Sequence, residues 1–484
     1  MNRFVGLLMA ATFLAMTASA NALTFKSGEK KSFGTKGVSV DKGIKYEIEP
    51  EAILQKHSTK LLSFFPHSYS NLSEKNHLAI SLYASEEILT EGEDSIFGAI
   101  YVFDENDEYH TSITAKPFVL EWNKKSKELQ ISKKWQEALP QMIFPRRFET
   151  FRPDGSKKVD VFIADYGVDG RSPKHPNCGG QNRWFEIKDG EIYDKTKELP
   201  AQNDLTHDLI VEDLNMDGLA DLVIVNDPVP NYSNTERCDN PEIEEQPYIL
   251  LSSESGFQKY SFKEIGINSR HLYLAGEANA NPDGSFDLLL SRDGLRSSGG
   301  VDIYNFEFEK SGLTLKDTTS FALNDNNLGA DIRKADVDGD GENDFVISNA
   351  TSNYWKGHNL YIASVDDDDW KLSKLFYERN LHGNLGKQDN GWCERVFLVD
   401  IDGNSTVDYV CANRTKPKNQ KRPPVIIRKG QSYYPLKFED TKIRQFVPFK
   451  TTEQHMLVGT RYGRATEDDV MVEWQFHGYE VHGE

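Results

Sequence analysis

Asp213-Leu214-Asn215-Met216-Asp217-Gly218-Leu219-Ala220-Asp221-Leu222-Val223-Ile224-Val225 joins two patterns in one stretch. The first nine residues read D-x-N-x-D-G-x-x-D, a loop of oxygen-bearing side chains bent around a glycine. From Asp221 onward the residues are apolar and mostly β-branched, as in a buried strand. The strand half recurs as Asp160-Val161-Phe162-Ile163-Ala164, Asp287-Leu288-Leu289-Leu290-Ser291 and Asp344-Phe345-Val346-Ile347-Ser348. It returns again as Asp408-Tyr409-Val410-Cys411-Ala412 and Asp469-Val470-Met471-Val472-Glu473. Successive Asp residues of this series are 61, 66, 57, 64 and 61 positions apart. A fainter copy, His77-Leu78-Ala79-Ile80-Ser81, lies 83 residues before the first.

A period near 60 residues identifies a repeat architecture. Each interval holds further strand-like runs, such as Tyr248-Ile249-Leu250-Leu251, Asn359-Leu360-Tyr361-Ile362-Ala363 and Pro424-Val425-Ile426-Ile427. Helical patterning is confined to a short run around Lys133–Leu139. Sixty residues of short strands amount to one four-stranded antiparallel sheet, and sheets repeated radially make a β-propeller. A single sheet cannot bury both faces alone, so neighbours must cover them. The expected fold is therefore all-β, a propeller of about seven four-stranded antiparallel blades. Six and eight stay alternatives, because the stretch from His77 to Asp160 exceeds one period. The copy at Asp469 leaves too little chain for a whole blade, and residues 23–62 are expected to supply the missing strands of the last one.

The loop half of the pattern occurs four times in register. Besides 213–221 it appears at 279–287 (N-x-N-x-D-G-x-x-D), 336–344 (D-x-D-x-D-G-x-x-D) and 400–408 (D-x-D-x-N-S-x-x-D). Calcium takes six to eight oxygen ligands, and positions 1, 3 and 5 of a tight loop converge on one point. Glycine at position 6 permits the bend, position 7 offers its carbonyl, and the acid at position 9 closes the cage. The expected ligands are Asp213, Asn215, Asp217, Leu219 and Asp221 in the first loop, and Asn279, Asn281, Asp283, Ser285 and Asp287 in the second. Asp336, Asp338, Asp340, Glu342 and Asp344 form the third set, and Asp400, Asp402, Asn404, Thr406 and Asp408 the fourth. About four calcium ions follow. An EF-hand closes three residues later and is flanked by helices, so this is not one. Single loops of this composition also arise as plain Asx-turns, but four matches before the same strand argue against that.

These four loops, each followed by its apolar strand, resemble the FG-GAP/VCBS repeat family, which includes the integrin α-chain propeller. The stretch Asn182-Arg183-Trp184-Phe185, Asp189-Gly190, Asp194-Lys195-Thr196, Leu199-Pro200 and Thr206-His207 is also family-like. The resemblance covers about Arg147 to Phe476 and extends less clearly to the N-terminal residues. It implies calcium in the hairpin between the first two strands of a blade, on one face of the disk. It does not imply one function, because such propellers serve in adhesion, lectin-like binding, assembly and enzymes.

If calcium occupies one face, the start of each first strand lies at the other, near the axis. Arg147, His207, His271, Arg333, Glu394, Arg395 and His455 fall at or near such positions and are the candidate ligand-binding residues. Trp184, Trp355, Trp370 and Trp392 stand in or beside loops, where they either stack on a ligand or pack between blades. Cys178 and Cys238 occupy equivalent positions in successive repeats, while Cys393 and Cys411 flank one hairpin. Disulfides Cys178–Cys238 and Cys393–Cys411 are expected in an oxidising compartment.

Such a compartment is indicated by residues 1–22, which read as a secretory signal peptide: Met1-Asn2-Arg3, an apolar run to Met16, then Ala18-Ser19-Ala20-Asn21-Ala22. The remainder, 23–484, reads as one domain, periplasmic or secreted from a bacterium, with no membrane insertion. The chain carries 76 acidic and 56 basic residues, a formal charge of −20 that disfavours nucleic acid as a partner. No nucleophile elbow, HExxH or phosphate-binding glycine loop is present. The leading expectation is an exported binding module for a glycan or a cell-surface or extracellular protein. The alternative is a polysaccharide-degrading lyase or hydrolase on the same calcium propeller.

Overall fold

The computed structural model describes the backbone of residues 54–64, 77–84 and 94–377, apart from 104–115, 168–177, 228–245 and shorter breaks. Beyond these it describes the strands between 392 and 481. The signal-like segment, Ile44–Ile48, Cys238 and Trp355 lie outside the described residues.

The fold is all-β. Among the described residues, strands succeed one another in seven main antiparallel sheets. Sheet 1 comprises His77–Ala84, Ile96–Phe103, Phe118–Asn123 and Glu128–Ile131, with Gly463–Arg464 on the edge of its first strand. Sheet 2 comprises Pro145–Phe151, Val159–Asp165, Arg183–Lys188 and Glu191–Asp194. Sheet 3 runs Thr206–Glu212, Asp221–Asn226, Tyr248–Leu251 and Gln258–Ser261, and sheet 4 Tyr273–Ala280, Ser285–Arg292, Gly300–Glu309 and Gly312–Ala322. Sheet 5 holds Leu328–Ala335, Asp344–Ala350, His358–Asp366 and Asp369–Tyr377, and sheet 6 Trp392–Val399, Asp408–Arg414, Val425–Lys429 and Ser432–Leu436. In sheet 7, Ile443–Lys450, His455–Arg461 and Val472–Val481 are completed by Leu54–Phe64 from the other end of the chain.

Of the segment 23–62 expected to complete the last blade, residues 23–53 lie outside the described residues, and Leu54–Phe64 supplies one strand of sheet 7. Two details of the repeat frame need correcting. Asp469 precedes the third strand of sheet 7, not the second, so the sheet is fuller than its position suggested. The run at His77 is the first strand of sheet 1, whereas the copies at Asp160, Asp221, Asp287, Asp344 and Asp408 are second strands. The equivalent second strand follows Ser95, which stands 65 residues before Asp160, so the period is regular there after all. The short helix Lys133–Ala138 forms as expected, with Ser132 at its N-cap and Trp135 buried beneath it.

Packing explains why the second strands are apolar on both faces. Every residue of Asp221–Asn226 is buried. Leu222 and Ile224 pack with Phe162 and Ala164 of sheet 2, while Val223 and Val225 pack with Phe286 and Leu288 of sheet 4. Leu289 of sheet 4 faces the other way, against Ile332, Phe345 and Ile347 of sheet 5. Alternating side chains of one strand thus fill two different inter-sheet cores, and each full burial contributes roughly 1.5–3 kcal/mol.

The first strands lie beside one another in order. Pro145–Phe151 touches Thr206–Glu212, which touches Tyr273–Ala280, then Leu328–Ala335, then Trp392–Val399. Sheet 6 adjoins Ile443–Lys450, which adjoins His77–Ala84, and sheet 1 adjoins Pro145–Phe151. In sheets 2 to 7 the register between first and second strands shifts by one residue near the start of the first strand. Such a bulge re-aims the side chain that follows it. The residues placed there are Arg147, Asp208, Ala275, Asp331, Arg395 and Gln445.

Candidate functional site

The carboxylate loops join the first two strands of their sheets. Loops 213–221 and 336–344 share one geometry. The Gly218 and Gly341 amides donate to Asp213 Oδ2 at 2.8 Å and Asp336 Oδ2 at 3.1 Å. The Leu214 and Val337 amides donate to Asp221 Oδ2 and Asp344 Oδ2, both at 3.0 Å. Leu219 and Glu342 donate to Oδ1 of Asp217 and Asp340 at 2.9 and 2.8 Å. Position 6 is left-handed in both, with φ of 86° at Gly218 and 92° at Gly341. Position 4 is left-handed as well, in Met216 (φ 59°) and Gly339 (φ 86°). Asp338 lies outside the described residues.

Loop 279–287 folds differently. Pro282 fills position 4, and its ring forbids a positive φ. The strands continue pairing through Ala280 and Phe286, and Asn281 N–H meets the Ser285 carbonyl at 2.8 Å in a tight turn. Asp287 accepts side-chain amides from Asn281 at 3.0 Å and Asn305 at 2.9 Å. Asn279 Oδ1 accepts from Asn343 of the neighbouring loop at 2.9 Å. Of the fourth loop, residues 400–406 and the Asp408 side chain lie outside the described residues. The donors of the two matching loops are all oxygens, which suits a hard cation. Among the described residues, however, no three His, Cys, Asp or Glu side chains are gathered as a metal cage. The loop carboxylates turn onto the loop amides.

Three of the residues expected at the axial mouth, Arg147, Arg333 and Arg395, gather around the same carboxylates, with Arg147 and Arg395 buried and Arg333 half-buried. Arg147 lies 2.6 Å from Glu149, 3.0 Å from Asp208 and 2.5 Å from Asp331. Burial disfavours the Arg147 charge, yet the three carboxylates hold its pKa well above the ordinary arginine value. Asp208 also accepts Gly276 N–H at 3.0 Å, and Asp331 accepts Val396 N–H at 2.7 Å, so each ties its strand to the next sheet. Arg333 bonds Glu149 at 2.9 Å. The buried Arg395 donates to the Arg146 carbonyl and lies 5.3 Å from the Tyr83 ring. The arrangement joins sheets and leaves these charges little access to a ligand.

The other candidates scatter. His207 is buried, its Nδ1 2.5 Å from the Leu274 carbonyl and its ring edge-on to Tyr166. His271 is half-buried ahead of the first strand of sheet 4. The Glu394 side chain lies outside the described residues. His455 begins a second strand, opposite Lys450, so it sits at the other end of its sheet from the bulges. The frame set by Asp469 runs one strand late, which explains that misplacement.

A groove that the sequence reading missed lies between sheets 4 and 5. One face of sheet 4 changes character along its length. Leu289, Val301, Ile303 and Phe321 pack on sheet 5. Beyond them Ser285, Asp287, Asn305, Asp317 and Thr319 continue the same face and line an open space of about 710 Å³. Val365, Asp369 and Trp370 of sheet 5 form its far wall. Val365 is 50% exposed, and Trp370 is half-buried with its ring 5.6 Å from Phe345. Trp184, in contrast, stacks on Phe162 at 5.6 Å and donates Nε1–H to Asp160 at 2.8 Å, a packing role. The alternation of strand residues could have marked the polar half-face, but nothing local shows that sheet 5 leaves it uncovered.

Cys178 is described and Cys238 is not, and no free thiol occurs among the described residues. Cys393 pairs in register with Asn413, and Cys411 with Val396.

No family model matches the chain, and no curated protein matches it. Solved structures resemble it distantly. A Dyadobacter fermentans protein of unknown function aligns at 9% identity over 89% of this chain and 99% of that one, with a TM-score of 0.43. A Bacillus licheniformis rhamnogalacturonan lyase aligns at 9% identity over 91% and 87%, with a TM-score of 0.32. A Trypanosoma rangeli sialidase aligns at 9% over 70% and 56%, with a TM-score of 0.36.

Proposed function

We propose that this chain is an exported, calcium-stabilised propeller of the FG-GAP/VCBS kind that binds glycans in the groove between sheets 4 and 5. The observation that carries the binding reading is the pairing of Trp370 with a polar sheet face across an open groove. Sugar rings present both C–H faces and hydroxyls, so their recognition needs an aromatic platform beside amides, hydroxyls and carboxylates. Closure into seven blades is supported by the succession of first strands and by Arg147 of sheet 2 reaching sheets 3 and 5. Calcium is supported by the bend shared by loops 213–221 and 336–344, and by the matching residue pattern at 400–408. Export rests on the pattern of residues 1–22, and the alternative of a bacterial polysaccharide-degrading enzyme uses the same groove.

The test is a glycan array probed with the calcium-loaded chain and with Trp370→Ala. Expected is a defined set of glycan signals that the variant loses while its melting temperature stays within a few degrees. Signals unchanged in the variant would remove the groove from the function. Release of reducing or unsaturated ends from any bound polysaccharide would replace the binding module with the enzyme.

A further inference from the structure

We infer that the groove between sheets 4 and 5 selects a cationic, amine-bearing glycan; this rests on the glycan-binding reading above. Five carboxylates line the space: Asp283, Asp287, Glu307, Asp317 and Asp369. The cation among the lining residues, Lys316, pairs with Glu307 and stands 3.7 Å from Glu309, so it adds no attraction for an anion. The Asp287 carboxylate is held by the neutral amides of Asn281 and Asn305, which fix its position and leave its charge uncompensated. Asp283 is likewise fixed by Ser285, whose N–H and hydroxyl reach it at 2.9 and 2.6 Å.

Negative charge held on a walled groove concentrates field there and favours positive ligands. A uronate chain would meet repulsion on the sheet 4 wall and from Asp369. An amino sugar meets the opposite. Its ammonium group replaces a hydroxyl at ring size, pairs with Asp317 or Asp283, and leaves the ring's C–H face for Trp370. The aromatic face itself also attracts cations. Asn305 and Thr319 stand between these groups on the same sheet face and serve the remaining hydroxyls.

The experiment is calorimetric titration of the calcium-loaded chain with three oligosaccharides of equal length: glucosamine, N-acetylglucosamine and galacturonate oligomers. Oligolysine is titrated as a fourth ligand. Expected is binding of the glucosamine oligomer about tenfold tighter than its N-acetylated counterpart, weakened severalfold by raising the salt from roughly 0.05 to 0.5 M. Asp317→Asn and Asp369→Asn should each weaken it about threefold to tenfold at unchanged melting temperature. Equal or tighter binding of the N-acetylated or galacturonate oligomer would overturn the charge selection and leave the glycan-binding reading standing. Glucosamine binding indifferent to both Asp variants would place the site elsewhere and overturn the inference. Oligolysine binding as tightly as the glucosamine oligomer would overturn the glycan as the selected ligand. A folded chain that binds none of the sugars, on the array or by titration, would end both readings.

Discussion

Arg147 and Asp331 stand 184 positions apart, on the first strands of sheets 2 and 5, and their side chains meet at 2.5 Å in the protein interior. The contact is possible because a bulge precedes each residue and turns it toward the same region. Asp208 of sheet 3 joins from a third equivalent position. A short local irregularity, repeated, thereby builds a long-range tie.

Removing one member of a buried ion pair leaves its partner charged and unpaired, at a cost of about 3–5 kcal/mol. Arg147→Met is expected to lower the unfolding free energy in urea by an amount of this size. Arg147→Lys should restore little, because an ammonium cannot span Glu149, Asp208 and Asp331 with a planar fork. Full recovery in the Lys variant would show that charge alone matters.

Asp302 gives a pH signature. Burial raises its pKa, but Arg292, Ser320 and Tyr273 donate to the carboxylate and the net shift is downward. A carboxyl with a depressed folded pKa adds stability that is complete above its unfolded value, about 3.9, and is lost as pH falls through the folded value. Asp302→Asn should therefore be destabilised against the parent chain by the same margin at pH 7 and pH 5. That margin should shrink below about pH 4. Urea unfolding at several pH values reads it, and an equal margin at pH 3 and pH 7 would contradict the assignment.

The strand order was legible because second strands bury both faces and so carry unbroken apolar runs, as in Leu222-Val223-Ile224-Val225. First strands were harder to place. Thr206–Glu212 interrupts its apolar residues with His207 and Asp208, which satisfy contacts to other sheets. The position of Arg147 beside Asp331 depends on a bulge and on which sheets neighbour which, neither of which is local. The groove arises from a surface left uncovered by sheet 5, a property of two sheets together. The glycine-dependent bend, being local, was legible at Gly218, Gly284 and Gly341. The effect of Pro282 on the second loop is local and available in the sequence, because its ring forbids the left-handed conformation at position 4.

That difference between loops yields a prediction about metal. Ligand binding to the native state stabilises by mass action, by about 2.7 kcal/mol at a hundredfold excess over the dissociation constant. Millimolar calcium is expected to raise the melting temperature above that in chelator, with magnesium giving a smaller rise. Asp217→Ala and Asp340→Ala should each remove part of the increment. Asp283→Ala, in the tight turn where Pro282 replaces the left-handed residue at position 4, should leave the increment nearly whole. Equal losses in all three variants would show that loop 279–287 binds metal in spite of Pro282.

The contact between sheets 4 and 5, on which the groove depends, can be probed at Gly329. A Cβ at this position would overlap both Oγ and Cβ of Ser291, which is fully buried. Gly329→Ala should therefore destabilise the fold by about 1–3 kcal/mol through overpacking. Because two Ser291 atoms obstruct the new methyl group, Ser291→Ala in the same chain should recover only part of the loss. Ser291→Gly should recover more, less the roughly 0.5–1 kcal/mol that a strand glycine costs. Denaturation midpoints of the three variants decide the matter. If Gly329→Ala is as stable as the parent, sheets 4 and 5 lie farther apart at this junction than these contacts require, and the groove walls are set by something else.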